Sequence, residues 1–267
     1  MPPLFQPLVY DFDQDPRQRE LLAQALNLLH QAFGQKTNEP GGQLFMGDNL
    51  VVIQHQFSFL EDAALLAAID RFIDRSPHLG DASRSALRAR IWRFHTLGSL
   101  ARNCLALPGI FAEFGVYIGE SAFILDEWLQ LGAAGRDYLL FDLFQPRGVV
   151  ADAYVGPFHG PGLEAEVRGL FAERPHVRIL PGRLPETLAA AGDAAFAFAH
   201  IDLNHAETEL AVAAAVYERM PPGGVIVFDD YGWGGYGETR RGLDAHFRAR
   251  GRAITELPTG QGLLVRT

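Results

Sequence analysis

From residue 110 onward, short apolar runs alternate with stretches in which apolar residues recur every three or four positions. The apolar runs predict strands over 110–113, 138–141, 177–180, 196–201 and 225–228. The periodic stretches predict helices over 120–131, 163–172, 185–191, 208–220 and 238–250. Two further short strands, 253–257 and 263–266, are joined by a PTGQG turn, so they should pair antiparallel. The pattern therefore predicts an α/β protein whose sheet is mostly parallel, with helices on both faces and an antiparallel edge.

The part of the chain before residue 110 has a mainly helical pattern. Asp13 or Asp15 can cap a helix that has Pro16 in its first turn and an apolar face reaching Phe33. Residues 63–75 and 82–107 also show helical spacing, whereas 44–60 supports no firm assignment. We expect an N-terminal helical extension or lid over 1–84 and the main domain over 85–267. The N-terminal helices would also suit a homo-oligomer interface, and the sequence leaves that choice open.

The stretch IFAEFGVYIGES (110–121) leads from the first strand of the predicted sheet into a helix through two glycines. The spacing of Gly115 and Gly119 is G-x-x-x-G, which differs from the G-x-G-x-x-G of dinucleotide binders and from the P-loop pattern. Glycines at the carboxyl end of a strand let the backbone approach a ligand closely, although plain turn geometry explains them equally well. The turn is therefore a candidate ligand site.

Acidic residues stand at the carboxyl ends of the predicted strands. They are Glu113, Asp142, Asp202, Asp229 and Asp230. Because the carboxyl ends of parallel strands meet at one crevice, we expect these side chains to share a site, although any one of them could simply cap the next helix. Asp142 ends the strand that follows the glycine turn, where a carboxylate can accept both hydroxyls of a ribose.

Two of these acids, Asp229 and Asp230, are adjacent, which is costly unless something positive neutralises them. Together with Asp202 they offer three carboxylates to a hard cation such as Mg²⁺, whose other positions would take water and substrate oxygens. The alternative is that one Asp caps a turn while another pairs with an arginine. The spacing favours the metal site.

Composition narrows the range of partners. The 267 residues carry a formal net charge of -9, which argues against a nucleic-acid partner. Cys104 is the only cysteine and falls in an apolar helical pattern, so it predicts an inert core thiol and no disulfide. No run reaches the roughly 20 apolar residues of a membrane helix. The N-terminus lacks the features of a signal peptide, so we expect a cytoplasmic protein that does not bind membranes.

Five segments, taken in order, resemble the class I S-adenosylmethionine-dependent methyltransferases. They are EFGVYIGES, FDLF, AHIDLN, PPGGVIVFDDYGWGGY and LPTGQGLLV. More narrowly, they are similar to the macrocin O-methyltransferase group, which methylates sugar and other hydroxyls in natural-product pathways using Mg²⁺. The resemblance covers roughly residues 85–267. It implies a Rossmann-like fold with a seven-stranded sheet and a metal-assisted O-methyltransferase that acts on a small-molecule hydroxyl.

The resemblance also implies roles for individual residues. The methionine and ribose portions of S-adenosylmethionine would be lined by residues of the glycine turn, namely Glu113, Gly115, Tyr117, Gly119 and Ser121. Asp142 would hold the ribose hydroxyls, and Gly182-Arg183 would lie near the adenine. Asp202 is assigned to the cofactor site and also to the metal, whose other ligands would be Asp229 and Asp230.

One residue departs from the family pattern. Family members commonly read D-x-D after the fourth strand, with the second Asp as the proposed general base, whereas this chain reads Asp202-Leu203-Asn204. An amide cannot take a proton at neutral pH. Either the metal activates an already acidic hydroxyl or His205 serves as the base. A loop histidine without a catalytic role is the simpler interpretation of His205, and His200, inside an apolar strand, is more readily a core histidine.

Two loops, 144–162 and 231–238, are expected to shape the acceptor site, and the second presents Tyr231, Trp233 and Tyr236 to a ring-shaped acceptor. Two other functions remain open. The missing G-x-G-x-x-G and the Asp pair count against an NAD-dependent oxidoreductase. Asn204 favours a relative that binds the cofactor without transferring a methyl group.

Overall fold

In a computed structural model of the chain, the residues described are 16–33, 43–48, 50–79, 86–145 and 156–267. The chain divides into two compact units, Met1–Met46 with Val51–Phe57 and Gly47–Leu50 with Ser58–Thr267. The domain boundary predicted at residue 84 falls outside the described residues and stays a prediction. None of the helices in the described ranges is long and apolar enough to span a membrane.

The first unit contains helix α1 (Pro16–Phe33) and most of a two-stranded sheet made by β1 (Gln43–Gly47) and β2 (Leu50–His55). Within it, the rings of Phe45 and Phe57 lie 5.5 Å apart between centroids. Helix α1 begins at Pro16, and the predicted capping residues Asp13 and Asp15 lie outside the described residues. The stretch 44–60, for which the pattern gave no assignment, consists of these strands and a 3₁₀ turn, Ser58–Glu61.

A seven-stranded sheet with the order β5-β4-β3-β6-β7-β9-β8 forms the centre of the second unit. Its strands are β3 (Ile110–Phe114), β4 (Tyr138–Asp142), β5 (Val177–Pro181), β6 (Phe196–Ile201), β7 (Val225–Phe228), β8 (Thr255–Glu256) and β9 (Gly262–Val265). The pairs from β5 to β7 are parallel, and β9 runs antiparallel to both β7 and β8. The predicted fold class is confirmed, a mostly parallel sheet with one antiparallel C-terminal strand.

Helices follow most strands of this sheet. They are α3 (Ile91–Asn103), α4 (Glu120–Leu129), α5 (Leu163–Leu170), α6 (Ala206–Glu218) and α7 (Gly237–Arg248), with α2 (Ala63–Arg75) preceding them. The helix predicted over 82–107 is interrupted: residues 86–89 are helical, φ −96° and ψ 13° at Arg90 leave the α region, and α3 starts at the next residue. The segment predicted as a helix over 185–191 is a 3₁₀ helix, Glu186–Ala191.

The central strands are buried on both faces, so their side chains are almost all apolar. Two polar side chains interrupt this rule, Glu113 on β3 and His200 on β6. The register of β3 and β6 places these two residues side by side. Cys104 lies fully buried after α3, and burial raises the pKa of its thiol to about 11, as expected for an inert core thiol.

Candidate active site

A cavity of about 410 Å³ opens in the second unit at the carboxyl ends of β3, β4 and β6. This volume lies in the range of about 300–1,000 Å³ that is typical of small-molecule sites. Several predicted site residues line it, namely Gly115, Tyr117, Ser121, Asp142, Gly182, Arg183, Asp202, Asn204, His205 and Asp229. Predicted residues that do not line it are Glu113, Gly119 and Asp230.

The two glycines of the turn have different structural roles. At Gly115 φ is +90°, and a Cβ atom would lie 1.8 Å from the backbone oxygen of Asp202. Gly115 is therefore required by the close approach of two loops of the protein itself. Gly119, at φ +81°, precedes α4, and its Cβ would meet Leu170 and Phe171 of the next layer. Only Gly115 belongs to the cavity wall.

Below the turn, the carboxylate of Glu113 is fully buried and already bonded. It accepts hydrogen bonds from Ser121 Oγ at 2.7 Å and from Tyr138 Oη at 2.8 Å. His200 Nδ1 lies 3.4 Å from the same carboxylate. Glu113 thus supports the cavity from inside the protein, while Ser121 stands between it and the cavity.

Asp142 fixes the shape of the glycine turn. Its Oδ2 accepts hydrogen bonds from the backbone N–H groups of Val116 at 2.6 Å and Tyr117 at 2.8 Å. Its Oδ1 accepts from the N–H of Phe144 at 2.5 Å. These bonds hold the carboxylate at the cavity wall, where the sequence places a ribose-binding acid.

Aromatic rings and the loop after β5 close one side of the cavity. The ring of Tyr117 lies 6.0 Å from that of Phe158 and 4.7 Å from that of His159, and its hydroxyl accepts from the N–H of Phe158 at 3.0 Å. Gly182 and Arg183 follow β5 and also line the cavity. Of the predicted loop 144–162, residues 146–155 lie outside the described set, and its described part contributes Pro157, Phe158 and His159 to the wall.

The aromatic residues of the second predicted loop take another direction. Tyr231 is buried and donates its hydroxyl to Asp244 at 2.5 Å, and Trp233 lies over the guanidinium of Arg93 at 5.5 Å. Neither these residues nor Tyr236 line the cavity. The described residues therefore do not place these rings in the cavity wall, and a role of this loop in binding the acceptor stays a prediction.

The acidic corner, which we define as Asp202, Asp229 and Asp230, holds an arginine that sequence reasoning missed. Arg93 of α3 forms an ion pair with Asp229 Oδ2 and lies 3.7 Å from Asp230 Oδ1. Asp229 Oδ1 lies 3.3 Å from His200 Nε2 and accepts from Gln261 Nε2 at 3.0 Å. Both oxygens of Asp229 are therefore occupied by groups of the protein.

These contacts set the charges of the corner. Burial alone raises the pKa of Asp229, but Arg93 and His200 outweigh it and hold the pKa below its usual value. Burial alone lowers the pKa of His200, but Glu113 and Asp229 outweigh it and raise the pKa well above its usual value. His200 is a core histidine paired with two carboxylates, as the simpler interpretation predicts, and one edge of it reaches the cavity.

Asp202 and its neighbours have a different environment. Burial, then the charges of Asp229 and Asp230, raise the pKa of Asp202 well above 3.8. Asn204 donates its amide Nδ2 to Asp202 Oδ1 at 3.1 Å, and the buried Oδ1 of Asn204 has no hydrogen-bond partner among the described residues. His205 caps α6, since its Nδ1 lies 2.9 Å from Thr208 Oγ1 and accepts the Thr208 N–H at 3.4 Å.

As arranged, the corner does not fit a divalent metal. No group of three or more His, Cys, Asp or Glu side chains in the described part of the chain could hold one. A metal bound to Asp229 would have to displace the guanidinium of Arg93, which already pairs with that carboxylate. The metal predicted at Asp202, Asp229 and Asp230 is not confirmed, and the alternative of an Asp paired with an arginine describes the corner.

Other wall residues also lacked a signal in the sequence. Arg90, Phe94 and Leu97 reach the cavity from the start of α3 and the residue before it. Their spacing is that of an ordinary core-facing helix, so nothing local distinguishes a ligand-facing residue from a packed one.

A cavity at the carboxyl ends of parallel strands, with an acid beside the first glycine turn, is the arrangement in which open α/β sheets bind nucleotide-like ligands. Residues 112–231 match the model of a family described as a methyltransferase domain. This match confirms the class predicted from the sequence, an S-adenosylmethionine-dependent methyltransferase. The search of curated proteins returned no match to the chain.

Three solved structures share the fold. The O-methyltransferase NovP is 22% identical, with a TM-score of 0.54 over 66% of this chain and 80% of its own. CalS11, described as a TDP-rhamnose 3′-O-methyltransferase of calicheamicin biosynthesis, is 18% identical, with a TM-score of 0.53 over 79% of this chain and 96% of its own. The SAH-bound methyltransferase PaMTH1 of Podospora anserina is 14% identical, with a TM-score of 0.55 over 98% of this chain and 100% of its own.

A buried glutamate beside the corner gives a pH-dependent prediction. Glu209→Gln is expected to raise the free energy of unfolding by about 2 kcal/mol at pH 9 and to change it little at pH 5. Burial, then Asp230 and Asp229, raise the pKa of Glu209 from 4.5 to about 8. Between these values the folded chain keeps a proton that the unfolded chain releases, so stability falls as the pH rises.

Urea unfolding at the two pH values measures this effect. Glu207→Gln is the matched control, because Glu207 is exposed on the same helix. An equal change at pH 5 and pH 9 would contradict the prediction for Glu209.

Proposed function

We propose that this protein transfers the methyl group of S-adenosylmethionine to a hydroxyl of a small molecule. The observation that carries the proposal is the cavity at the strand ends, with Asp142 beside the glycine turn on one side and Asp202 on the other. The matched methyltransferase domain supports the methyl transfer. NovP and CalS11, which share the fold, are described as O-methyltransferases, and this supports an oxygen acceptor.

The cavity wall fits the cofactor. Asp142 offers a carboxylate to the ribose hydroxyls, and the backbone of Gly115 lies in the same wall. Tyr117, Phe158 and Arg183 provide rings and a guanidinium suited to the adenosyl portion. When bound, S-adenosylmethionine supplies a methyl group activated on a sulfonium.

Two residues serve the acceptor. Asn204 donates its amide Nδ2 to Asp202 Oδ1 and so holds that carboxylate in place for the acceptor hydroxyl. Asp202 accepts the hydroxyl proton as the new carbon–oxygen bond forms and the carbon–sulfur bond breaks. Its raised pKa makes it a stronger base than an ordinary carboxylate.

His205 is less suited to be the base. Its Nδ1 accepts from Thr208, so the neutral ring carries its proton on Nε2 and has no free acceptor nitrogen. Its capping position favours the structural interpretation. The proposed reaction does not require the predicted Mg²⁺, and the described residues offer no group of three or more His, Cys, Asp or Glu side chains that could hold it.

The decisive experiment compares cofactors and acceptors. S-adenosylmethionine should raise the melting temperature by several degrees and NAD should leave it unchanged. With a labelled methyl donor, a panel of sugar, sugar-nucleotide and phenolic hydroxyl compounds should yield one labelled ether and one equivalent of S-adenosylhomocysteine. Binding of the cofactor without transfer to any hydroxyl would reject the O-methyltransferase proposal and favour the non-catalytic relative.

The cofactor part of the proposal has its own test. Asp142→Asn is expected to weaken S-adenosylmethionine binding about 10- to 30-fold, because the amide meets the Phe144 N–H with a donor and loses the negative charge. Calorimetry measures the dissociation constant, and Asp137→Asn is the control, since Asp137 is exposed just before the same strand. Equal affinities of the two variants would place the ribose elsewhere.

A further inference from the structure

We propose that the guanidinium of Arg93 is the resident cation of the acidic corner, in the position that the sequence pattern assigns to a divalent metal. The corner is then complete within the chain and does not recruit a metal ion. This inference goes beyond the proposed function, because it concerns what the corner binds and not what the cavity transfers.

The first argument is that Arg93 sits in a site built for a guanidinium. Its Nη1 pairs with Asp229 and its Nη2 donates to the backbone oxygen of Thr259 at 3.1 Å. Its Nε lies 3.4 Å from Asp48, whose side chain is only 2% exposed. The ring of Trp233 covers the guanidinium at 5.5 Å. The planar guanidinium of Arg93 is therefore held from several directions, unlike the mobile cationic group of a surface side chain.

The second argument is that the ligand atoms a metal would need are already used. His200 and Gln261 occupy the other oxygen of Asp229, and the amide of Asn204 occupies one oxygen of Asp202. A metal would have to displace these groups and the guanidinium together. Arg93 already supplies a positive charge to Asp229, and His200 lies against the other oxygen of the same carboxylate.

The third argument is the position of Arg93 relative to the cavity. Arg93 is 8% exposed and lines the cavity together with Asp229. Its charge therefore acts on the same wall as a metal bound to the corner would. Unlike a metal, it cannot be removed by a chelator.

Metal binding by the purified protein tests the inference. After treatment with EDTA, Mn²⁺ is titrated into the wild-type chain, Arg93→Gln and Arg90→Gln, and free Mn²⁺ is followed by electron paramagnetic resonance. Arg90 lines the same cavity but pairs with Glu120, so Arg90→Gln controls for the loss of one positive charge. We expect Arg93→Gln to bind one Mn²⁺ with a dissociation constant at least about tenfold lower than that of the other two proteins.

Three outcomes would overturn the inference. The wild-type chain could bind one Mn²⁺ as tightly as Arg93→Gln does. A second such outcome is that neither the wild-type chain nor Arg93→Gln binds Mn²⁺, which would mean that the corner is not a cation site even without Arg93. Arg90→Gln could gain the same affinity. None of these measurements depends on methyl transfer, so their failure is separable from failure of the proposed function.

A second measurement decides the matter if Arg93→Gln does not fold. The melting temperature of the wild-type chain is compared in EDTA and in Mg²⁺, alongside Arg93→Lys, which keeps a cation at the position. Equal wild-type melting temperatures, with a folded Arg93→Lys variant, support the inference. A wild-type chain that Mg²⁺ stabilises by several degrees overturns it.

Discussion

Asp202→Asn is expected to lower kcat about 100- to 1,000-fold while leaving the affinity for S-adenosylmethionine within about threefold of the wild type. Asparagine has nearly the same shape as aspartate but cannot accept a proton. The substitution therefore removes the proposed proton acceptor and little else. Steady-state kinetics with the accepted hydroxyl compound, together with calorimetry for the cofactor, measure the two quantities separately.

The pH dependence of kcat provides an independent check on Asp202. The carboxylate acts only after losing its proton, and its pKa is raised above the usual 3.8 by burial and by Asp229 and Asp230. The wild-type rate should therefore rise with pH above the range of an ordinary carboxyl group, and Asp202→Asn should lose that rise. Asp193→Asn, at an exposed aspartate just before the same strand β6, should keep both the rate and the profile.

His205→Ala distinguishes the competing base. Because His205 caps α6 through Thr208, its loss should lower stability by about 1 kcal/mol and leave the pH profile unchanged. A profile that loses its rising limb in His205→Ala and keeps it in Asp202→Asn would assign proton removal to the histidine and reject Asp202.

Gly115→Ala is expected to reduce the free energy of unfolding by about 3–5 kcal/mol. The new Cβ would lie 1.8 Å from the backbone oxygen of Asp202, and backbone cannot move aside as a flexible side chain can. The positive φ of +90° adds strain for any residue with a side chain. The loop carrying Asp202 would have to shift, so cofactor binding and transfer should fall together with stability.

Gly135→Ala separates the two causes. Gly135 also has a positive φ, +68°, but a Cβ atom there meets nothing within 4 Å. Its substitution should lower the free energy of unfolding by only about 1–2 kcal/mol, which is the effect of backbone strain without a steric clash. Urea denaturation of both variants gives the difference, and equal losses would show that the contact between Gly115 and Asp202 is not tight.

Local sequence patterns predicted at which edge of the sheet several acidic residues would meet. Acids at the ends of apolar strands pointed to one edge of the sheet, and Asp142, Asp202 and Asp229 do line a single cavity there. The prediction worked because parallel strands present their carboxyl ends on the same side. Glu113 shows its limit, since it precedes the last residue of β3 and points into the core, where Ser121 and Tyr138 bond it.

The metal prediction shows what such patterns lack. Asp229-Asp230 has no basic neighbour in sequence, and Arg240 and Arg241 were the nearest candidates. The arginine that neutralises the pair comes from α3, 136 residues earlier than Asp229. Arg93 looked like any polar position of an amphipathic helix, because periodicity reports which face a residue occupies and not which distant carboxylate it meets.

The amino-acid sequence alone determined the alternation of strands and helices, the mostly parallel sheet and the edge at which a ligand would bind. These features depend on the spacing of apolar residues and on turn-forming glycines, which act over a few neighbouring positions. Only the tertiary structure decided that Arg93 enters the acidic corner, that Gly115 is needed by the Asp202 backbone and that His205 caps a helix. Two of these features are contacts between segments far apart in the chain, and the third is set by local backbone geometry that residue spacing does not specify.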